Sequence, residues 1–280
     1  MRKGDPNDPL LRQVLPTTQE LQYTLGFSPD PVGDTQSMAI PGLLHKYHGR
    51  VLLVMTGACA IHCRYCFRRE FPYGQQQLSG QREAAVLQYI LSDPTIKEVI
   101  LSGGDPLLLH DDKLGDLIDA LSEISHIKRI RLHSRLPVVL PSRITDACAQ
   151  RMGSARPQCV LVIHANHTNE LNHEVGAALA RLRQAGITLL NQTVLLKGIN
   201  DSATTLCQLS ESLFENGVLP YYQHMLDKVT GASHFDIEEK HAISAHAEMQ
   251  RRLPGYLVPK LVREISGAPH KSTVGETGSY

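Results

Sequence analysis

Arg50-Val51-Leu52-Leu53-Val54-Met55-Thr56 is a continuous apolar run that opens onto Cys59-Ala60-Ile61-His62-Cys63-Arg64-Tyr65-Cys66. A short branched run of this kind reads as a buried strand, which places the three thiols on a loop at its C-terminal end. Downstream the pattern repeats. A helical stretch around Ala84 to Leu91 precedes the strand Glu98 to Leu101, and Leu114, Leu117, Ile118 and Leu121, spaced by three and four, precede Ile130 to Leu132. Helices are expected near 145–152, 170–184, 202–215 and 237–252, each followed by a strand, at 160–163, 187–190, 218–225 and 256–265. Strand and helix thus alternate at least six times, which predicts an α/β fold of parallel strands with helices outside. Residues 1–40 are rich in Pro, Asp and Gly without a sustained period and read as a loop-rich N-terminal arm.

Three thiols within eight residues point to a single inorganic centre. Thiolate is a soft ligand that selects zinc, copper(I) or iron-sulfur clusters. A structural zinc ion takes four closed ligands; the chain holds no second Cys-x-x-Cys, so His62 would have to complete the set. A disulfide pair with a spare thiol is the other bland reading, disfavoured in a reduced compartment. A 4Fe-4S cube normally takes four cysteines, so three would leave one iron open to a ligand. Cys148, Cys159 and Cys207 stand in apolar surroundings and read as core.

Composition removes other classes of function. Lys plus Arg and Asp plus Glu number 28 each, a formal charge of zero, whereas a nucleic-acid binder shows a basic footprint. Met1-Arg2-Lys3 runs into polar Gly4 to Pro9, so neither a signal peptide nor a membrane span is indicated, and a cytoplasmic location is expected. The chemically suggestive residues instead gather where the strands end: the cysteine loop, Ser102-Gly103-Gly104-Asp105, His133-Ser134-Arg135, His164, Asn191-Gln192 and Asp227. In a β/α barrel that rim is where sites are built.

The Cys-x3-Cys-x2-Cys spacing, with Tyr65 before the last cysteine, resembles the motif of radical S-adenosylmethionine enzymes. The resemblance implies a partial TIM-type (β/α)6 barrel, with the unligated iron binding S-adenosylmethionine. It narrows further. Pro41 to Tyr47, Arg68-Arg69, Ser102 to Leu107, His133 to Arg135, Pro137 to Pro141, Asn191 to Leu196, Pro220 to Tyr222 and Asp227 resemble lysine 2,3-aminomutases. The wording is most similar to bacterial members that make β-lysine for modification of elongation factor P. The similarity covers about 41–273, leaving 1–40 as arm and 274–280 as tail, and it implies that Met1 falls inside the family's N-terminal region.

Carried over by position, the resemblance implies that Cys59, Cys63 and Cys66 hold a 4Fe-4S cluster and that Lys271 holds pyridoxal phosphate, with Arg50, Lys46 and Tyr47 beside it. Tyr65, Ser102, Gly103, Gly104, Ser134, Arg135, His164 and Gln192 would line the S-adenosylmethionine site. Arg68 would take the substrate carboxylate, and Asp227 and Glu264 the distal ammonium of lysine. The implied reaction is a radical 1,2-amino shift from (S)-α-lysine to (R)-β-lysine that needs a one-electron reductant. The implied partners are elongation factor P and its lysylating enzyme; a catabolic or osmolyte-producing lysine 2,3-aminomutase is the alternative. No cysteine follows Cys207, so the zinc-binding tail of the catabolic members has no counterpart here.

Each residue also has a bland reading. Lys271 could be a solvated charge, and Asp227 and Glu264 could pair with Lys228 and Arg263 on the surface. His164 could be a satisfied structural histidine. Ser102 to Asp105 could be a tight turn capped by Asp105. A metal-binding scaffold without turnover is the reading outside enzymes.

Overall fold

The computed structural model describes residues 1–275; the last five positions of the expected tail lie outside the described residues. Ten strands form one sheet in chain order: β1 (Met38–Ile40), β2 (Leu43–Tyr47), β3 (Arg50–Val54), β4 (Glu98–Ser102), β5 (Arg129–Ser134), β6 (Gln158–Ile163), β7 (Thr188–Val194), β8 (Leu219–His224), β9 (Lys260–Arg263) and β10 (Ser272–Thr273). β3 to β9 are parallel, while β1, β2 and β10 run antiparallel at the two ends. Between successive parallel strands lie α1 (Gly80–Ser92), α2 (Asp111–Glu123), α3 (Asp146–Gly153), α4 (His173–Gln184), α5 (Ala203–Glu215) and α6 (Glu239–Arg252). The six strand-helix units expected from periodicity are therefore present, closed by a seventh parallel strand, as a partial β/α barrel. The antiparallel ends were not anticipated.

The two faces of the strands divide the chemistry. Val51, Leu53, Val99, Leu101, Ile130, Leu132, Leu161, Ile163 and Leu189 are all buried in one hydrophobic core. Into it α1 sends Val86 and Ile90, α2 sends Leu117 and Leu121, and α4 sends Val175, Leu179 and Leu182, the spacing of a single helical face. The alternate positions, among them Arg50, Leu52, Glu98, Ile100, Arg131, His133, Val160, Leu190 and Gln192, line a cavity inside the barrel. Period-two alternation thus gives an apolar exterior under the helices and a hollow interior that mixes apolar side chains with charged and polar ones.

Caps set the helix starts. Thr145, Asn172 and Ser202 accept from the backbone N–H of Cys148, Val175 and Thr205 at the heads of α3, α4 and α5. The Asn172 cap is why α4 begins three residues later than its apolar pattern suggests, with Thr168–Glu170 forming a separate 3-10 turn. Among the described residues no helix is long and apolar enough to cross a membrane. Cys148, Cys159 and Cys207 are buried in the core, as expected.

The N-terminal arm holds short helical pieces and, at its end, the edge strand β1, and it is tied to the barrel rim at several points. Gln13 accepts from the Arg64 backbone N–H at 2.8 Å, and Glu20 ion-pairs with both Arg64 and Arg69. Farther along, Ser28 bridges Val229, and Asp34 pairs with Arg68 at 2.6 Å. Each arginine flanking the cysteines is met by the arm.

Candidate active site

A cavity of about 610 Å3 opens at the C-terminal rim and runs down the barrel to Arg50, Glu98 and Arg129 at the strand starts. It is lined by all the residues to which the resemblance gives a role: Cys59, Cys63 and Cys66; Lys46, Tyr47, Arg50 and Lys271; Tyr65, Ser102, Gly103, Gly104, Ser134, Arg135, His164 and Gln192; and Arg68, Asp227 and Glu264. Asn191, also at a strand end, instead bonds Ala165 and Thr193. The site is thus one space to which every strand from β2 to β8 contributes.

The cysteine loop is held on both sides. Arg135 donates from Nη1 to Cys63 Sγ at 2.6 Å. Its Nη2 donates to Gln13 Oε1 at 2.6 Å and to Glu170 Oε1 at 3.3 Å, while Asn166 donates to both Gln13 Oε1 and the Tyr65 hydroxyl. Burial opposes a charge on Arg135, but the neighbouring Tyr65, Cys63 and Glu170 outweigh it and hold the guanidinium charged.

Asp105 accepts from Ser134 Oγ at 2.7 Å and from the backbone N–H groups of Leu107, Arg135 and Leu136. The capped-turn reading of Ser102 to Asp105 therefore holds for Asp105, in a segment that also lines the cavity. The two glycines have a packing reason as well. Gly103 has φ +115°, and a Cβ there would meet the Thr56 carbonyl at 2.8 Å; one on Gly104 would collide with the Ala58 carbonyl. This turn lies directly on the backbone that delivers Cys59.

At the opposite wall the charges interlock. Glu264 accepts from Lys46 at 2.9 Å and from Lys271 at 2.6 Å. Burial pushes its carboxyl up, but Lys271 and Lys46 outweigh burial and bring it to about 2. Asp227, half-buried, has no ion-pair partner among the described residues: desolvation raises it, the Glu264 charge adds, and it reaches about 7. The surface pairings considered for these carboxylates do not occur, since Lys228 pairs with Asp236 and Arg263 with Glu239. Nor is Lys271 a solvated charge, being 22 % exposed and ion-paired. Lys46 is already met by Asp34, Glu264 and the Val32 carbonyl, three acceptors for three protons, which leaves it none for a phosphate.

His133, His164 and His224 each bury an Nε2 with no hydrogen-bond partner, and all three line the cavity. Burial lowers all three, with neighbouring cations adding, His164 to about 4, so they are neutral. His164 is thus not a satisfied structural histidine. Unpartnered buried polar atoms are costly; facing a cavity, they are groups a ligand would satisfy.

Asp34, Arg131 and His224 belong to this lining and were not anticipated, whereas His133 was singled out at its strand end. Alternation in Arg129-Ile130-Arg131-Leu132-His133 marks Arg131 and His133 as sharing the cavity face.

The arrangement matches known proteins. Residues 53–208 match the family model of the radical SAM superfamily. The chain is 50 % identical over 272 residues to an L-lysine 2,3-aminomutase of Escherichia coli, covering 97 % of this chain and 79 % of the relative. It is 47 % identical to that of Haemophilus influenzae, covering 99 % and 82 %, and 36 % identical to that of Clostridium subterminale, covering 97 % and 65 %. A radical SAM methyltransferase from Sphaerobacter thermophilus shares the fold, with a TM-score of 0.54 at 14 % identity over 79 % of this chain and 68 % of that one. The thiol loop on a partial barrel defines a radical S-adenosylmethionine protein, whose cofactors are a 4Fe-4S cluster and S-adenosylmethionine. Within that superfamily the chain belongs to the lysine 2,3-aminomutase family of isomerases.

The residues present fit those cofactors. Three thiols share one loop against a cationic partner, and the site offers unpartnered imidazoles and a two-glycine edge for close approach.

Proposed function

We propose that the chain converts (S)-α-lysine to (R)-β-lysine with the cluster, S-adenosylmethionine and pyridoxal phosphate, supplying β-lysine for modification of elongation factor P. The observation that carries the reading is the charge pattern of the cavity: a buried guanidinium, Arg68, and a half-buried carboxylate, Asp227, share one space with the cysteine loop. A half-buried carboxylate that titrates near 7 is one that lacks a cation. The ε-ammonium of lysine is such a cation, and Arg68 suits the α-carboxylate.

Pyridoxal phosphate fits the remaining groups. The Lys271 amine faces the cavity beside Glu264, and the cavity floor carries Arg50, Arg129 and Arg131 against the single carboxylate of Glu98. That excess of cations suits a phosphate dianion. Arg50 lies over the Tyr47 ring at 4.6 Å, which braces it. We assign Arg50 and Tyr47 to the phosphate end, with Lys46 supporting Glu264 instead.

The bound cofactors would supply reversible hydrogen-atom transfer and a conjugated ring that stabilises radical character. The chain's own task is binding and exclusion. Cys59, Cys63 and Cys66 hold the cluster; Tyr65, Ser102, Gly103, Gly104, Ser134, Arg135, His164 and Gln192 line the S-adenosylmethionine site. Arg68 with Asp227 and Glu264 fixes both ends of lysine, so that one carbon faces the reacting centre. The link to elongation factor P and its lysylating enzyme rests on the motif wording and is the finer part of the proposal.

The test is oxygen-free incubation of reconstituted protein with lysine, S-adenosylmethionine, pyridoxal phosphate and dithionite. The expected product is (R)-β-lysine by mass and chirality. Reductive cleavage of S-adenosylmethionine without β-lysine would overturn the substrate assignment.

A further inference from the structure

Arg68 is buried and carries the charge assigned above to the substrate carboxylate, but the group that orients it comes from the N-terminal arm. Asp34, 2 % exposed, accepts from Arg68 Nε at 2.6 Å, and its other oxygen lies 2.5 Å from Lys46 Nζ. Burial pushes its carboxyl up, but Arg68 and Lys46 outweigh burial and keep it ionised. Among the described residues Arg68 has no other carboxylate partner; its Nη1 lies 3.3 Å from Ser102 Oγ.

The turn that presents Asp34 is fixed. The Asp30 carboxylate accepts from the backbone N–H of Asp34 and of Thr35, both at 2.9 Å. Ser37 Oγ donates to the Gly33 carbonyl at 2.7 Å. Gly33 has φ +67°, and Ser266, on the loop before Lys271, packs where its Cβ would be. Upstream, Ser28 pairs its backbone with Lys228 and Thr230, next to Asp227. One stretch of arm thus touches the loops of Arg68, Asp227 and Lys271.

A guanidinium has five N–H donors in a fixed fork. A carboxylate bound at Nε fixes the plane of the fork and leaves the paired Nη end for a second, two-pronged carboxylate. We infer that Asp34 is a positioning residue for substrate recognition, holding the Arg68 fork so that its Nη end meets the substrate carboxylate. The inference rests on the lysine reading above. Because Asp34 binds at Nε, substrate need not displace it, and the arm becomes part of the specificity of the site.

Comparing lysine with lysinamide isolates the carboxylate, since the amide keeps the ammonium groups and loses the anion. Binding of each compound to the apoprotein is measured by calorimetry, and kcat and KM are measured on reconstituted enzyme. Wild type prefers lysine. In Asp34→Asn that preference falls at least about tenfold, the loss of one charge-assisted contact, through KM for lysine more than kcat, while lysinamide changes little. Asp34→Glu retains most of the preference, and Asp34→Ser serves as a second neutral variant under the same criterion. Equal loss for both compounds, with the preference intact, would overturn the inference and leave Asp34 a fold residue. A preference that is lost in Asp34→Asn in calorimetry, while wild type makes no β-lysine, supports the inference and overturns the functional reading instead.

Discussion

Arg135 Nη1 stands 2.6 Å from Cys63 Sγ, so the residue proposed for the S-adenosylmethionine site also touches a proposed cluster ligand. Its other nitrogen is anchored by Gln13 and Glu170. Arg135→Gln removes a charge-assisted contact worth about 1.5–3 kcal/mol. S-adenosylmethionine affinity should fall tenfold or more in equilibrium dialysis of reconstituted protein; unchanged affinity would remove Arg135 from that site.

Gln13 is fully buried and serves Arg135, Asn166 and Glu170 with one amide. Gln13→Ala leaves those groups short of partners, at a cost of about 1–3 kcal/mol. The apoprotein should melt several degrees lower, and the cysteine loop should be cut sooner by protease. A variant as stable as wild type would show that the arm is not a fastening.

Asp227 titrates near 7 because burial disfavours its charge. Its folded pKa lies above the unfolded value, so its stabilising effect is present at low pH and lost as pH rises through about 7. Wild-type apoprotein should therefore lose stability relative to Asp227→Asn as pH rises from about 4 to about 7, and hold level above that. Lysine recognition runs the other way: it needs the ionised form, so KM should rise below pH 7 in wild type and stay flat in the variant. Parallel pH profiles in the two proteins would refute the ammonium assignment.

Gly104→Ala drives a methyl group into the Ala58 carbonyl, which is backbone and cannot rotate aside. The strain, about 1–3 kcal/mol, displaces the segment leading to Cys59. Bound iron should drop below that of wild type in parallel reconstitutions; full iron content would mean that the turn and the loop are uncoupled.

Lys271→Ala should abolish covalent attachment of pyridoxal phosphate, assayed by mass spectrometry after borohydride reduction. A label on another lysine would move the cofactor.

Much of this was legible because barrel periodicities are local. Apolar spacing of three and four marked α2, the other five helices showed as stretches between strands, and apolar runs marked β3 to β9. The cysteine spacing named its own chemistry. What escaped was charge on the inner strand faces and in the arm. Arg131 sits within a run whose apolar alternates dominate the reading, and Asp34 lies in a stretch with no period, so its partner, 34 positions away, leaves no trace in spacing. β1 and β10 were missed because edge strands of three and two residues are too short to show alternation, and β2 because its burial does not alternate.

The sheet is left open between its antiparallel ends, and Lys46 of β2 reaches across that seam to Glu264 just beyond β9. The clasp that shuts the cylinder is therefore made of the same ions that greet the incoming amine. Whatever neutralises Glu264 also loosens the hoop, so occupancy of the chamber and the tightness of its wall are set by a single electrostatic knot.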